Sequence, residues 1–163
     1  MTRHSVLHIS AGIFILLLAL LCSSAYGDQR FSDNSDGTVT DHQLGVMWAK
    51  SDNGADIDWK QARAYATSRF GAGLKKKYGN WRLPTLEELQ SLYGPVARSK
   101  GYTAECGLLV KIDPAFRLSC VLIWASDTAL GSHMAYNFNI GNEFIVPAYD
   151  IKGCRVLPVR TIK

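Results

Sequence analysis

The chain has 163 residues, 47% hydrophobic and 20% charged, with a formal net charge of +4. That composition describes one ordinary globular domain and excludes a disordered tail or a solenoid. The positive charge is too small to argue for nucleic acid, and it favours an anionic partner only where the cations cluster.

Residues 1–27 start with Arg3, His4 and His8, run apolar from Ile13 to Leu21, and end in small residues before Asp28. A run this short falls below the roughly 20-residue helix that spans about 30 Å of hydrocarbon, so it reads as a secretory signal peptide. Ala25-Tyr26-Gly27 fits the small-x-small rule, which places cleavage after Gly27. A lipid anchor at Cys22 is disfavoured by the bulky Leu20 and Leu21 before it. Residues 28–163 carry no repeat, linker or low-complexity tract. They read as one exported domain, periplasmic or secreted, with no membrane span once the signal is removed.

Asp33-Asn34-Ser35-Asp36-Gly37 is a turn cluster, and Thr38 to Asp41 and Val46 to Ala49 on either side of Gly45 predict an opening hairpin. The period then changes. Trp59, Ala62, Ala66 and Phe70 share one helical face, with Asp58 as N-cap, Gln61 completing a capping box, and Gly71 and Gly73 as the stop. A second helix follows Trp81-Arg82-Leu83-Pro84, capped reciprocally by Thr85 and Glu88, with Leu86, Leu89 and Tyr93 inward and Gly94-Pro95 at its end. From Gly101 onward the pattern is β: Val121 to Ser126, Ala135 to Ile140, Phe144 to Val146 and Arg155 to Ile162, with turns at Gly131-Ser132 and Gly141-Asn142. Pro158 cannot donate to a ladder, which predicts an edge or bulged last strand. Two helices between a hairpin and an antiparallel sheet predict an α+β domain.

Without Cys22 the exported chain keeps Cys106, Cys120 and Cys154, an odd number in an oxidising setting. Cys106 with Cys120 is preferred because both flank the segment Gly107 to Ser119, a loop whose closure is worth about 3 kcal/mol in the chain-entropy model. Pairing of either with Cys154 stays open. Neither His42 nor His133 is tied to a cysteine by a local motif, which argues against a catalytic thiol.

The ordered pieces Asp36-Gly37-Thr38-Val39-Thr40-Asp41, Gly45-Val46-Met47-Trp48, Trp81-Arg82-Leu83-Pro84-Thr85, Ile112-Asp113-Pro114, Trp124-Ala125-Ser126, Phe138-Asn139 and Arg155-Val156-Leu157-Pro158-Val159-Arg160 resemble the Lcl C-terminal-domain-like family, named after a collagen-like bacterial adhesin. The resemblance implies a C-type-lectin-like fold on an exported bacterial protein, two helices packed against antiparallel sheets, with the N- and C-terminal strands paired. In the adhesin that names the family, the domain binds sulfated glycosaminoglycans. The Glu-Pro-Asn or Gln-Pro-Asp triplet of calcium-dependent lectins is absent, and so is a collagen-like stalk.

Trp48, Trp59, Trp81 and Trp124 sit in strands or on an apolar helix face, so core packing with internally satisfied N–H groups is expected. Arg82 and Glu88 read as structural partners. The acidic turn at Asp33, Asn34 and Asp36 reaches Gln43, not glutamate, at the twelfth position from Ser32, and so fails the EF-hand register. Lone His42 and His133 match no metal spacing. Neither metal nor cofactor is expected.

Two groups remain as ligand candidates. Lys75, Lys76 and Lys77 form the dense positive run, able to hold sulfate or phosphate groups. Tyr136, Asn137, Asn139, Asn142, Glu143 and Tyr149 offer aromatic and amide groups on the late turns. The competing view of those turns is plain alternation, Phe138, Ile140, Phe144 and Val146 inward and the amides in water. The expectation is a non-enzymatic binding or adhesion module for a glycan or anionic surface polymer. The alternative is a structural or protein-interaction component of the bacterial envelope. A third class, an oxidase of the formylglycine-generating kind on a related fold, requires a reactive cysteine arrangement that the sequence does not present.

Overall fold

A computed structural model describes residues 29–94, 101–147, 149 and 153–162. The signal-peptide expectation and the stop at Pro95 lie outside these residues.

The fold is α+β. Strands β1 (Phe31–Asp33), β2 (Thr38–Asp41) and β3 (Val46–Ala49) form an antiparallel meander. The predicted hairpin is therefore present, with a further strand before it. Buried Asp41 organises it. Its carboxylate accepts from the backbone N–H of Gln43 and Leu44 in the turn and from Arg30 Nε and Nη2. Arg30 also donates to Ser91, which ties the meander to the helix Leu86–Ser91.

Helix α1 begins at Trp59–Ala64, widens into π turns over Tyr65–Phe70 and closes with Gly71–Gly73. Asp58 accepts the Gln61 N–H as predicted, but the Gln61 side chain does not return a bond, so the cap is half a box. Gly71 is helical, not a stop. A Cβ there would lie 2.8 Å from Trp81 Cδ1, so the glycine admits the indole against the helix. Helix α2 (Leu86–Ser91) has the full capping box between Thr85 and Glu88.

After α2 come the small ladder β4 (Tyr102–Thr103) and β5 (Leu109–Val110), then β6 (Leu122–Ala129), β7 (Ser132–Asn137), β8 (Asn142–Val146), β9 (Cys154–Arg155) and β10 (Val159–Thr161). The two larger sheets have orders β1-β2-β3-β10 and β8-β7-β6-β9. Pairing is antiparallel except between β6 and β9. The β6–β7 turn is Leu130-Gly131, both left-handed, one residue earlier than expected.

Two expectations for the strands are corrected. The first and last strands share a sheet but lie at its opposite edges, and it is β3 that pairs with β10. The segment expected as one terminal strand is two, β9 in the second sheet and β10 in the first. Pro158 sits in the crossing, where its carbonyl accepts from Ala49 N and its missing N–H costs no ladder bond.

The main core lies between the sheets and α2, joining Val39, Trp48, Leu89, Leu92, Ile112, Phe116, Ile123 and Phe138. Phe116 stands edge-on to both Phe31 and Trp48. A second cluster packs Ala62 and Ala66 of α1 on Trp124, Ala135 and Cys154, covering the other face of the second sheet. A third joins Met47, Leu74 and Trp81 at the end of α1. Burying each large side chain contributes about 1.5–3 kcal/mol.

Candidate functional site

The late turns assemble only in part. Tyr136, expected at a binding surface, is 3% exposed and packs between Tyr93 and Phe138, so it belongs to the core. Asn137 Oδ1 accepts from Asn139 N, and Asn139 Nδ2 donates to Leu109 O, so both amides shape the β7–β8 turn and fasten it to β5. Asn142, Glu143 and Tyr149 are exposed. Simple alternation also fails here. Phe138 and Val146 are buried, whereas Ile140 and Phe144 are exposed, because β8 is an edge strand and Ile140 stands in the turn before it.

Lys75, Lys76 and Lys77 are exposed and follow α1 directly, with Leu74 buried as their anchor. Lys77 Nζ donates to Ala72 O at 2.6 Å, which caps a carbonyl at the helix end. Lys76 Nζ lies 5.1 Å from the centre of the Tyr78 ring, and the Arg160 guanidinium lies 5.4 Å from the same ring. Tyr78 OH donates to Asp36 Oδ2 at 2.8 Å, which fixes the ring. Burial pushes the Asp36 pKa up, but hydrogen bonds from Thr38 and Tyr78 outweigh it and hold the carboxyl below its ordinary range, helped by the charge of Lys76. Arg160 Nε donates to Gly79 O, which leaves both Nη groups without a protein partner among the described residues. Tyr78 and Arg160 were missed by the reading of sequence. Tyr78 adjoins the lysine run, but Arg160 arrives from β10, and no local signal joins it to the cluster.

The remaining candidates take structural places. Arg82 and Glu88 form a two-pronged ion pair with contacts of 2.8 and 2.7 Å. Burial raises the Glu88 pKa, and hydrogen bonds from Arg82 and Thr85 more than reverse it. The acidic turn is spent internally: Asp33 binds Ser35 N and Lys50, and Asn34 binds Thr38 and Thr40. His42 contacts Ser32 Oγ, and His133 stacks on Trp59 at 3.8 Å. Among the described residues no group of three or more His, Cys, Asp or Glu side chains is placed to hold a metal. Trp59 and Trp124 donate to Ala125 O and Ile57 O, but the buried N–H groups of Trp48 and Trp81 have no partner among the described residues, against expectation. Both rings pack in cores where their apolar area dominates. Trp59 is only half-buried.

Cys106 and Cys120 form the disulfide, and Cys154 is buried on β9 outside it. No helix among the described residues is long and apolar enough to cross a membrane.

Neither a curated protein nor a solved structure matches the chain. The model of the Lcl C-terminal domain matches residues 37–160, from the glycine opening β2 to the arginine of β10 beside Tyr78. That span takes in both helices and all strands but β1, and the chain belongs to the Lcl C-terminal domain family.

Proposed function

We propose that this chain is an exported, non-enzymatic binding module of lectin-like architecture that recognises a glycan or anionic surface polymer. The observation that carries the reading is the convergence of Lys76 and Arg160 on Tyr78, flanked by Lys75 and Lys77. Cations on a rigid aromatic, with N–H groups left unspent, suit the spaced sulfate or carboxylate groups of a polymer. Family membership and the disulfide support export to an oxidising compartment. The polymer binds through charge, so its affinity falls with salt, the Debye length being about 10 Å at 0.1 M.

The test is binding of the purified protein to sulfated and unsulfated dextran at low and high salt, with and without chelator. The sulfated polymer is expected to bind, salt-dependently and without calcium. Lys76→Ala and Arg160→Ala should each weaken binding more than Lys60→Ala, a charge-matched change on the exposed face of α1. Equal effects of all three, or indifference to sulfation, would reject the reading.

A protein partner in the envelope is the second reading. Edge strand β8, with Phe144 and Ile145 exposed, favours it, and affinity capture from the envelope distinguishes the two.

A further inference from the structure

A cleft of about 290 Å³ opens beside the disulfide, away from the residues around Tyr78. One wall is Tyr102 to Glu105, the other Arg117 to Ser119, and Ser51, Asp52 and Gly54 close the floor. Two devices join the walls, and a third ties one of them to the floor. Cys106 and Cys120, each next to a wall residue, are covalently joined. Tyr102 OH reaches across to the backbone N–H and carbonyl of Leu118. Asp52 accepts from Ser119 N at 2.7 Å and Ser119 Oγ at 2.9 Å, and from Gly54 N. A ligand entering therefore meets a pre-formed concavity and does not pay to order it.

The unspent groups define what fits. Arg117 uses Nη1 on the carbonyls of Pro114 and Phe116, and its Nε and Nη2 have no protein partner among the described residues. Neither the exposed Glu105 carboxylate nor the hydroxyls of Ser51 and Thr103 make a bond among the described residues. Donors and acceptors thus line both walls, and of the apolar lining side chains Ala104 and Leu118 are buried, which leaves half-buried Tyr102. Arg117 also lies over the Tyr102 ring at 5.2 Å. Asp52 and Glu105 line the cleft with Arg117, and the other guanidinium that reaches it, Arg155 on Ser119 Oγ, is paired with Asp56, so the cleft disfavours an anion. The volume sits at the lower end of small-molecule pockets, about 300 Å³, which admits one ring-sized unit.

We infer that this cleft is a binding subsite for a single neutral pyranose unit, whose vicinal hydroxyls both donate to Glu105 and accept from Arg117. The inference does not depend on the cationic cluster around Tyr78 and would stand if sulfated polymers failed to bind there.

The probes are glucose, galactose, mannose and N-acetylglucosamine, with glucuronate and glycerol as comparisons, titrated into the isotopically labelled protein and followed by amide NMR. At least one neutral pyranose is expected to shift residues 103–105 and 117–119 saturably. Glu105→Ala and Arg117→Ala, both at exposed positions, should each weaken that binding about tenfold, the worth of one or two hydrogen bonds. Lys76→Ala should leave it unchanged. No saturable shift at the cleft with any neutral pyranose, tighter binding of glucuronate than of glucose, or an equal response to glycerol would overturn the proposal. Loss of sulfated-dextran binding in Lys76→Ala with the cleft response intact tells the two sites apart.

Discussion

Replacing Glu88 with Gln tests how this fold is tied together. The carboxylate of Glu88 accepts three bonds: Arg82 Nη1 at 2.8 Å, Arg82 Nη2 at 2.7 Å and Thr85 N at 2.7 Å. Through Arg82, whose backbone bridges Val159, it links the start of α2 to the last strand of the first sheet. Glutamine keeps one acceptor, so the change removes the charge and at least one bond. A capping interaction is worth about 1 kcal/mol and a bond to a charged group about 1.5–3. Arg82 is half-exposed and can rehydrate, which discounts the second figure, so the expected loss is about 1.5–2.5 kcal/mol at pH 7. The pH dependence gives the sharper readout. Glu88 titrates below its ordinary value in the folded state, so the unfolded chain binds the proton more readily. Its stabilisation is therefore complete above the unfolded value, near pH 4.3, and is lost as pH falls through the lower folded value. Urea denaturation of both proteins from pH 7 to the lowest pH at which they fold should show the difference shrinking with acid. A difference that stays constant across the carboxylate range would refute the reasoning.

Other substitutions probe packing. Gly141→Ala puts a Cβ 2.6 Å from Tyr93 Cζ at a backbone φ of +78, so it must displace a ring that packs on Tyr136. Left-handed strain of about 1–2 kcal/mol and the displaced ring predict a loss of about 2–4 kcal/mol in a denaturant melt with unchanged slope. Trp48→Phe removes an N–H that has no partner among the described residues, whereas Trp124→Phe also strips a donor from Ile57 O. Both fully buried rings lose similar area, so Trp124→Phe should cost about 1 kcal/mol more, read as a lower melting midpoint.

The acid limb of the wild-type protein should carry more than Glu88. The hydrogen bond and charge of Arg155 hold Asp56 low against burial, and Lys50 does the same for Asp33, so acid should remove both ion pairs. Their exposure makes each contribution small, so a Glu88→Gln protein should keep a shallower acid limb, carried by Asp36, Asp56 and Asp33.

Local order in this chain was legible wherever neighbouring residues settle it. The periods that mark α1 and α2, the Thr85–Glu88 box and the β2–β3 hairpin depend on contacts within a few residues, and they stand in the structure as read. The Cys106–Cys120 pair was also reachable, because a separation of 14 residues makes it the shortest loop that Cys106, Cys120 and Cys154 can close. What could not be read was which face of a strand is covered. Tyr136 was expected at the surface and Phe144 inside, yet Tyr136 lies under α2 on an inner strand and Phe144 on the open edge. Period two assigns sides, and only packing decides which side is dry. The same limit hid Arg160, which meets Tyr78 across 82 residues, and the cleft, where Asp52 meets Ser119 from 67 residues away. Short-range sterics and hydrogen bonds are encoded in adjacent residues. The meeting of distant charges is fixed only when the two sheets and their helices close on a common core.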